Sequence, residues 1–378
     1  MTQMSEPDHY ARAAAGIDAL QRWHSRWTGQ WRTTGWWNAA NALTAVIGFI
    51  RRTGDRRHAP AIKKTFRAAG RRHPGFIVRY FDDNGWWGLA WLAAYDVTGA
   101  DRYLDAARVI FANMVTSWDE TCGGGVWWNQ DRKYKNAITN ELFLSLAAQL
   151  HLRSPNTDGR YLAWALREFE WFRASGMIGA SGLINDGLTP ECANNGRPTW
   201  TYNQGVILGG LAALHEISGD AGYITLGESI ADAALRELTS PPEASPPGIL
   251  IEPGETEMAR ARRRGDGSQF KGIFVRNLYD FYLHSRRPAY RDFMLRNARS
   301  IWDNTRNADN QFGLCWTGPF DTADASRQSS ALDALNAAVA VASQLRDADP
   351  RAASWAVSVG NSQPCSGATV GINHEAGE

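Results

Sequence analysis

The chain alternates between two kinds of helical pattern. In one kind, apolar residues run nearly all round, over 36–50, 86–97, 137–151, 202–217, 270–283 and 330–345. A helix with no wet face has to be enclosed on every side. The intervening segments are amphipathic: Leu104, Ala107, Ile110, Phe111 and Met114 form one stripe at helical spacing, with charges opposite. Six enclosed helices and six half-covered ones predict an inner ring inside an outer ring. The fold class is therefore all-α, an (α/α)6 barrel, with a helix over 9–28 opening the outer ring.

A recurring six-residue turn separates the two kinds of helix. It reads TGDRRH (53–58), TGADRY (98–103), NTDGRY (156–161), SGDAGY (218–223) and SRRPAY (285–290). From Tyr103 onward the closing aromatics lie 58, 62 and 67 residues apart. Gly or Asp stops one helix and caps the next. The opposite connections are longer and carry GGGVWW (123–128), GLIN (182–185), GILI (248–251) and GLCW (313–316), each a candidate short strand. They all fall on the rim where the inner helices begin, where a ligand cleft would be built. One catalytic domain over 1–358 is expected, followed by a weakly ordered tail over 359–378.

Composition narrows the function. A net charge of +1 without a long basic run argues against nucleic acid, because phosphate binding needs concentrated positive surface. The arginine clusters at 51–57 and 262–264 read as helix ends or loops. The longest nearly apolar stretch, 42–50, is too short to span a bilayer. The eight histidines form no HxxxH or HExxH arrangement, and no glycine-rich phosphate loop follows a strand; neither a metal nor another cofactor is expected. The start of the chain, MTQMSEPDHY, has no apolar signal region. Cys122, Cys192, Cys315 and Cys365 show no CxxC pair and read as free thiols in a reducing, cytoplasmic compartment, with two disulfides the alternative for a secreted chain.

The chain has 17 tryptophans, several paired beside glycine: Trp36–Trp37, Trp86–Trp87 and Trp127–Trp128. Flat aromatic faces beside glycine-rich loops suit sugar rings, although wide helical cores also use Trp. Polar residues open the inner helices and converge on the same rim. The candidate ligand contacts are Trp37, Asn84, Trp86, Trp87, Trp127, Trp128, Asn140, Glu141, Tyr202, Asn203, Gln204, Lys271 and Arg276. Helix capping for Asn140 and Glu141, and internal ion pairing for Lys271 and Arg276, are equally open readings.

The candidate catalytic residues are Asp82 and Asp83, in YFDDNGWWGLAW (80–91). An isolated DD pair is ordinarily an N-cap or a surface feature. Here it stands between aromatics at the start of an all-apolar helix, which puts at least one carboxylate in the cleft. Consecutive helical residues diverge by roughly 100°, so the two acids can approach one anomeric centre from different sides. Adjacent acids also resist simultaneous ionisation, leaving one protonated near neutral pH. An acid and a nucleophile would then come from a single dipeptide.

The segments GWWNAANAL (35–43), YFDDNGWWGLAWLAAYDVTG (80–99), GGGVWWNQDRKYKNAITNELFLSLAAQL (123–150), TYNQGVILGGLAAL (201–214), FKGIFVRNL (270–278) and CWTGPFD (315–321) resemble glycoside hydrolase family 76 from about residue 10 to 345. The resemblance implies an (α/α)6 barrel and endo-acting hydrolysis of α-1,6-mannan or manno-oligosaccharides with retention of configuration. It also implies Asp82 as nucleophile and Asp83 as acid/base. The competing readings are a sugar isomerase or epimerase on the same barrel, which would need paired rim histidines, and a mannan-binding or transglycosylating protein.

Overall fold

The structure is a computed structural model that describes residues 8–154, 158–261 and 265–348. The tail expected over 359–378 lies outside the described residues. Residues up to Ala340 belong to one compact unit, and a second begins at Val341.

The outer helices are α1 (His9–Gln21), α3 (Pro60–Arg72), α5 (Asp101–Val115), α7 (Arg160–Ala174), α9 (Ala221–Glu237) and α12 (Pro288–Asn304). The inner helices are α2 (Trp36–Thr53), α4 (Phe81–Thr98), α6 (Ala137–Arg153), α8 (Thr201–Ser218), α11 (Phe270–Ser285) and α13 (Ala325–Ala348). A short α10 (Glu255–Arg260) sits in the loop before α11. The fold is the (α/α)6 barrel that the two helical patterns predict. The first outer helix is shorter than expected, ending at Gln21 instead of residue 28.

The inner helices are apolar all round because they pack both on one another (α2 on α4, α4 on α6, α6 on α8, α8 on α11) and on outer helices, as α4 does on α5, α6 on α7 and α8 on α9. Their neighbours in the ring are their neighbours in sequence order. Close approach is built in where the ring tightens. A Cβ on Gly272 of α11 would lie 2.4 Å from the Ser330 carbonyl of α13, and the Gly272 amide donates to Ser330 Oγ at 2.9 Å. Between α3, α4 and α5 the layers are filled by aromatics: Trp87, Trp91 and Phe76 pack with ring centres 4.8–5.9 Å apart.

At the short-turn end, α2, α4 and α8 stop at Gly54, Gly99 and Gly219 in the left-handed conformation, and each glycine amide bonds back to a carbonyl of the last turn. Left-handed backbone carries no Cβ penalty at glycine. Arg286 takes the same conformation after α11, at φ 54°.

The long connections at the other end fold back on themselves without forming the short strands that their Gly-aromatic pattern suggested. Each pairs through an isolated antiparallel bridge: Trp118 with Val126, Ile178 with Ile184, Thr239 with Leu250, and Arg306 with Phe312. The cysteine expectation is also corrected. Cys122 and Cys192 form a disulfide that ties the loop before α6 to the loop before α8, while Cys315 is free. Their separation of 70 residues hid the pairing, because only the barrel brings the two loops side by side. Cys365 lies outside the described residues.

Candidate active site

Asp82 and Asp83 occupy the first turn of α4 and are half-buried. Their surroundings differ. Asp82 accepts two hydrogen bonds, one at Oδ2 from the Trp128 indole N–H (3.0 Å) and one at Oδ1 from the Asp83 amide (2.9 Å). The groove walls strip water from both carboxyls, and burial lifts Asp82 to about 7 against the lowering effect of those two bonds. Burial, and then the negative charges of Asp82 and Asp266, push Asp83 to about 8. The hydrogen bonds favour the charged form of Asp82, and the neighbouring charges favour the protonated form of Asp83.

The pair lies in an aromatic trough. Trp37 stacks on Trp86 at 5.7 Å, Trp86 on Tyr202 at 6.4 Å, and Tyr202 on Phe270 at 3.8 Å, all within 27° of parallel. Trp86, Tyr202 and Phe270 are buried, so they form the floor, while Trp37 keeps an open face. Trp128 and Tyr80 meet at 5.1 Å and make one wall. Trp200, 5.8 Å from Phe270, stands at another edge.

Two acids that sequence reasoning missed hold this trough in shape. Asp266 accepts from the Trp37 indole at 3.0 Å. Asp186 accepts from the Trp200 indole at 3.1 Å and from the Tyr134 hydroxyl at 2.5 Å. Both sit in long rim loops. Neither loop has a periodic pattern that would have pointed to them.

The amides that looked like sugar contacts serve the scaffold. Asn84 accepts from the Val78 N–H and donates to the Val78 carbonyl; Asn140 does the same with Val126, and Gln204 with Ile184. All three are fully buried. Each inner helix thereby clamps the loop that leads into it, satisfying loop backbone that would otherwise be stranded. Trp87 is core, and Trp127 donates to Asp119 beside the Lys135 ammonium. Lys271 is buried in an ion pair with Glu255 at 2.6 Å and bonds the Leu314 carbonyl. Arg276 lies behind Trp86, paired with Asp333 at 3.0 Å. Glu141 and Asn203 are fully buried without a hydrogen-bond partner, and burial raises Glu141 well above the ordinary carboxyl range. Of the sequence candidates, the trough unites Asp82, Asp83, Trp37, Trp86, Trp128 and Tyr202.

Among the described residues, no group of three His, Cys, Asp or Glu side chains is arranged to hold a metal ion, and no helix is long and apolar enough to cross a membrane.

Carboxyls kept protonatable near neutral pH beside open indole faces belong to the chemistry of glycosidic bonds, and the double ring narrows the class to helical-barrel glycoside hydrolases. Within that class the chain belongs to glycosyl hydrolase family 76, whose sequence profile matches residues 11–349. The mannan endo-1,6-alpha-mannosidase DFG5 of Saccharomyces cerevisiae is 32% identical over 162 residues, 39% of this chain and 35% of that protein. Its namesake from Candida albicans is 27% identical over 226 residues, 53% of this chain and 49% of that protein. The chain thus spans half or less of the length of these relatives. A solved structure of the α-1,6-mannanase of Salegentibacter sp. HEL1_6 superposes with a TM-score of 0.78 at 23% identity, covering 89% of this chain and 100% of that one. It is an inactive variant with two consecutive aspartates replaced by alanine, in complex with α-1,6-mannotetrose.

Proposed function

We propose that the chain is an endo-acting α-1,6-mannosidase that hydrolyses mannan or manno-oligosaccharides with retention of configuration. The observation that carries this reading is the unequal setting of the adjacent acids. Asp82, bonded at both oxygens, is the one kept ionised and is the nucleophile. Asp83, crowded by negative charge, keeps the proton and is the acid/base. In the first step Asp83 gives its proton to the glycosidic oxygen while Asp82 attacks the anomeric carbon, and the leaving sugar departs. In the second, Asp83 takes a proton from water, whose oxygen displaces Asp82 and restores the starting configuration. The names of the relatives, and the inactive double-aspartate variant of the Salegentibacter enzyme, support the substrate and the pair.

The disulfide supports an oxidising compartment for this chain rather than the cytoplasm. Hydrolysis of α-1,6-linked manno-oligosaccharides followed by proton NMR should release the α-anomer first. Asp82→Asn and Asp83→Asn should each lose about 10²–10⁴-fold in rate with the fold intact. Full activity in either variant, or a β-anomer formed first, would overturn the assignment.

A further inference from the structure

Behind the trough floor, the inner helices enclose a second space that opens at the short-turn end of the barrel. Its volume is about 520 Å³, well within the range of small-molecule sites. Trp86 and Arg276 divide it from the catalytic trough. Trp86 stacks in front on Trp37 and Tyr202, while Arg276 lies behind at 5.7 Å, tied to Asp333 and to Asn41. From Trp86 to Asp96, both on its wall, α4 rises about 15 Å at 1.5 Å per residue. Apart from Trp86, which it shares with the trough floor, nothing on its wall takes part in the hydrolytic chemistry.

The charges on its wall stand in opposed pairs. Arg52 meets Asp280 at 2.7 Å, Arg153 meets Asp96 at 2.6 Å, and Arg276 meets Asp333 at 3.0 Å. At the mouth, exposed Arg51 on α2 faces exposed Glu216 on α8 across the ring. A ligand with net charge would find no surplus counter-charge. A wholly apolar one would desolvate three ion pairs without replacing their water. Between the pairs the wall is aliphatic, with Leu89 and Leu152 on neighbouring helices. Deeper in, Asn336 is 4% exposed and its Oδ1 has no hydrogen-bond partner. Planar hydrogen-bonding groups alternating with aliphatic strips match hydroxyls alternating with C–H faces.

We propose that this rear cavity is a second binding site, for a neutral sugar of one or two rings. The choice of mannose as its probe rests on the α-1,6-mannan reading of the trough; the preference for a neutral polyol does not. Because Trp86 touches both spaces, an occupant would bear directly on the trough floor.

Calorimetry on the Asp82→Asn/Asp83→Asn protein saturated with α-1,6-mannotetraose tests this. Mannose added next should bind with one further equivalent. Ala93→Phe and Gln149→Trp, which fill the cavity from α4 and α6, should each weaken that binding at least about tenfold while still binding the tetraose. Mannose 6-phosphate should bind about tenfold more weakly than mannose. Absence of mannose binding to the saturated protein, binding retained by both filled variants, or tighter binding of the phosphate ester would overturn the proposal. Failure to bind the tetraose would instead count against the mannan reading. Mannose binding to the unsaturated protein, lost in the filled variants, would then still support the cavity.

Discussion

Asp82 and Asp83 share one backbone turn but not one environment, and pH is where that difference becomes measurable. Between about 7 and about 8 the pair carries a single proton. Activity should fall below that window, as Asp82 takes up a proton, and above it, as Asp83 loses one. The Trp128 indole bond stabilises the charged form of Asp82, so removing it favours the neutral form. Trp128→Phe should therefore move the acid limb of the kcat/KM profile to higher pH. The loss near pH 7 should be about tenfold, the scale of a hydrogen bond to a charged group; an unmoved acid limb would show that the bond does not set Asp82. The sequence singled this pair out by its place between aromatics at the start of an all-apolar helix. It did not separate Asn84, Asn140 and Gln204 from true ligand contacts, since a buried amide serving backbone looks the same in sequence as one serving a sugar. Asp186 and Asp266 were silent for the opposite reason, lying in loops whose positions only the folded rim defines.

At the scale of elements, the helices were legible and the rim loops were not. An inner helix announces itself by having no polar face, and the short turns by a left-handed glycine followed by an acid or a cap. The long loops have no such period, so their Gly-aromatic pieces read as strands where the structure gives the loops only isolated bridges. Side-chain clamps supply the order that a sheet would otherwise provide. Asn140 is the fullest case: it takes the Val126 amide at 2.7 Å and bonds the carbonyls of Val126 and Asn136. Asn140→Leu keeps similar bulk but strands buried backbone groups, each costing roughly 1–3 kcal/mol. A fall in unfolding free energy of that order is expected, read from denaturant titration, together with a weaker hold on the loop that carries Trp128. Leucine tolerated without loss would mean that the loop is held by its other ties, the disulfide and the Trp118–Val126 bridge among them.

A ring of helices has to close, and at the scale of the whole molecule closure falls to the first helix. The hydrophobic pattern predicts that α1 belongs to the outer ring but not what it touches. Gln328 of α13 joins the two ends of the chain: its Nε2 donates to the Gly16 carbonyl of α1 at 2.9 Å, and its Oε1 accepts from the Phe312 amide. Gly16 is the contact point. A Cβ there would stand 3.0 Å from Leu332 Cδ2 and 3.1 Å from Phe312 Cε2, closer than buried carbons normally approach. Both side chains are fully buried, so making room for a larger residue would disturb packed neighbours. Gly16→Val should thus force α1 outward from the last inner helix, costing about 1–3 kcal/mol, as overpacking of a dense core does. The Asp82–Asp83 pair sits on α4, away from this seam, so the variant should lower the melting temperature while leaving kcat unchanged at temperatures where it stays folded. An unaltered melting temperature would mean that α1 rests loosely on the barrel and that the ring is closed by its other members.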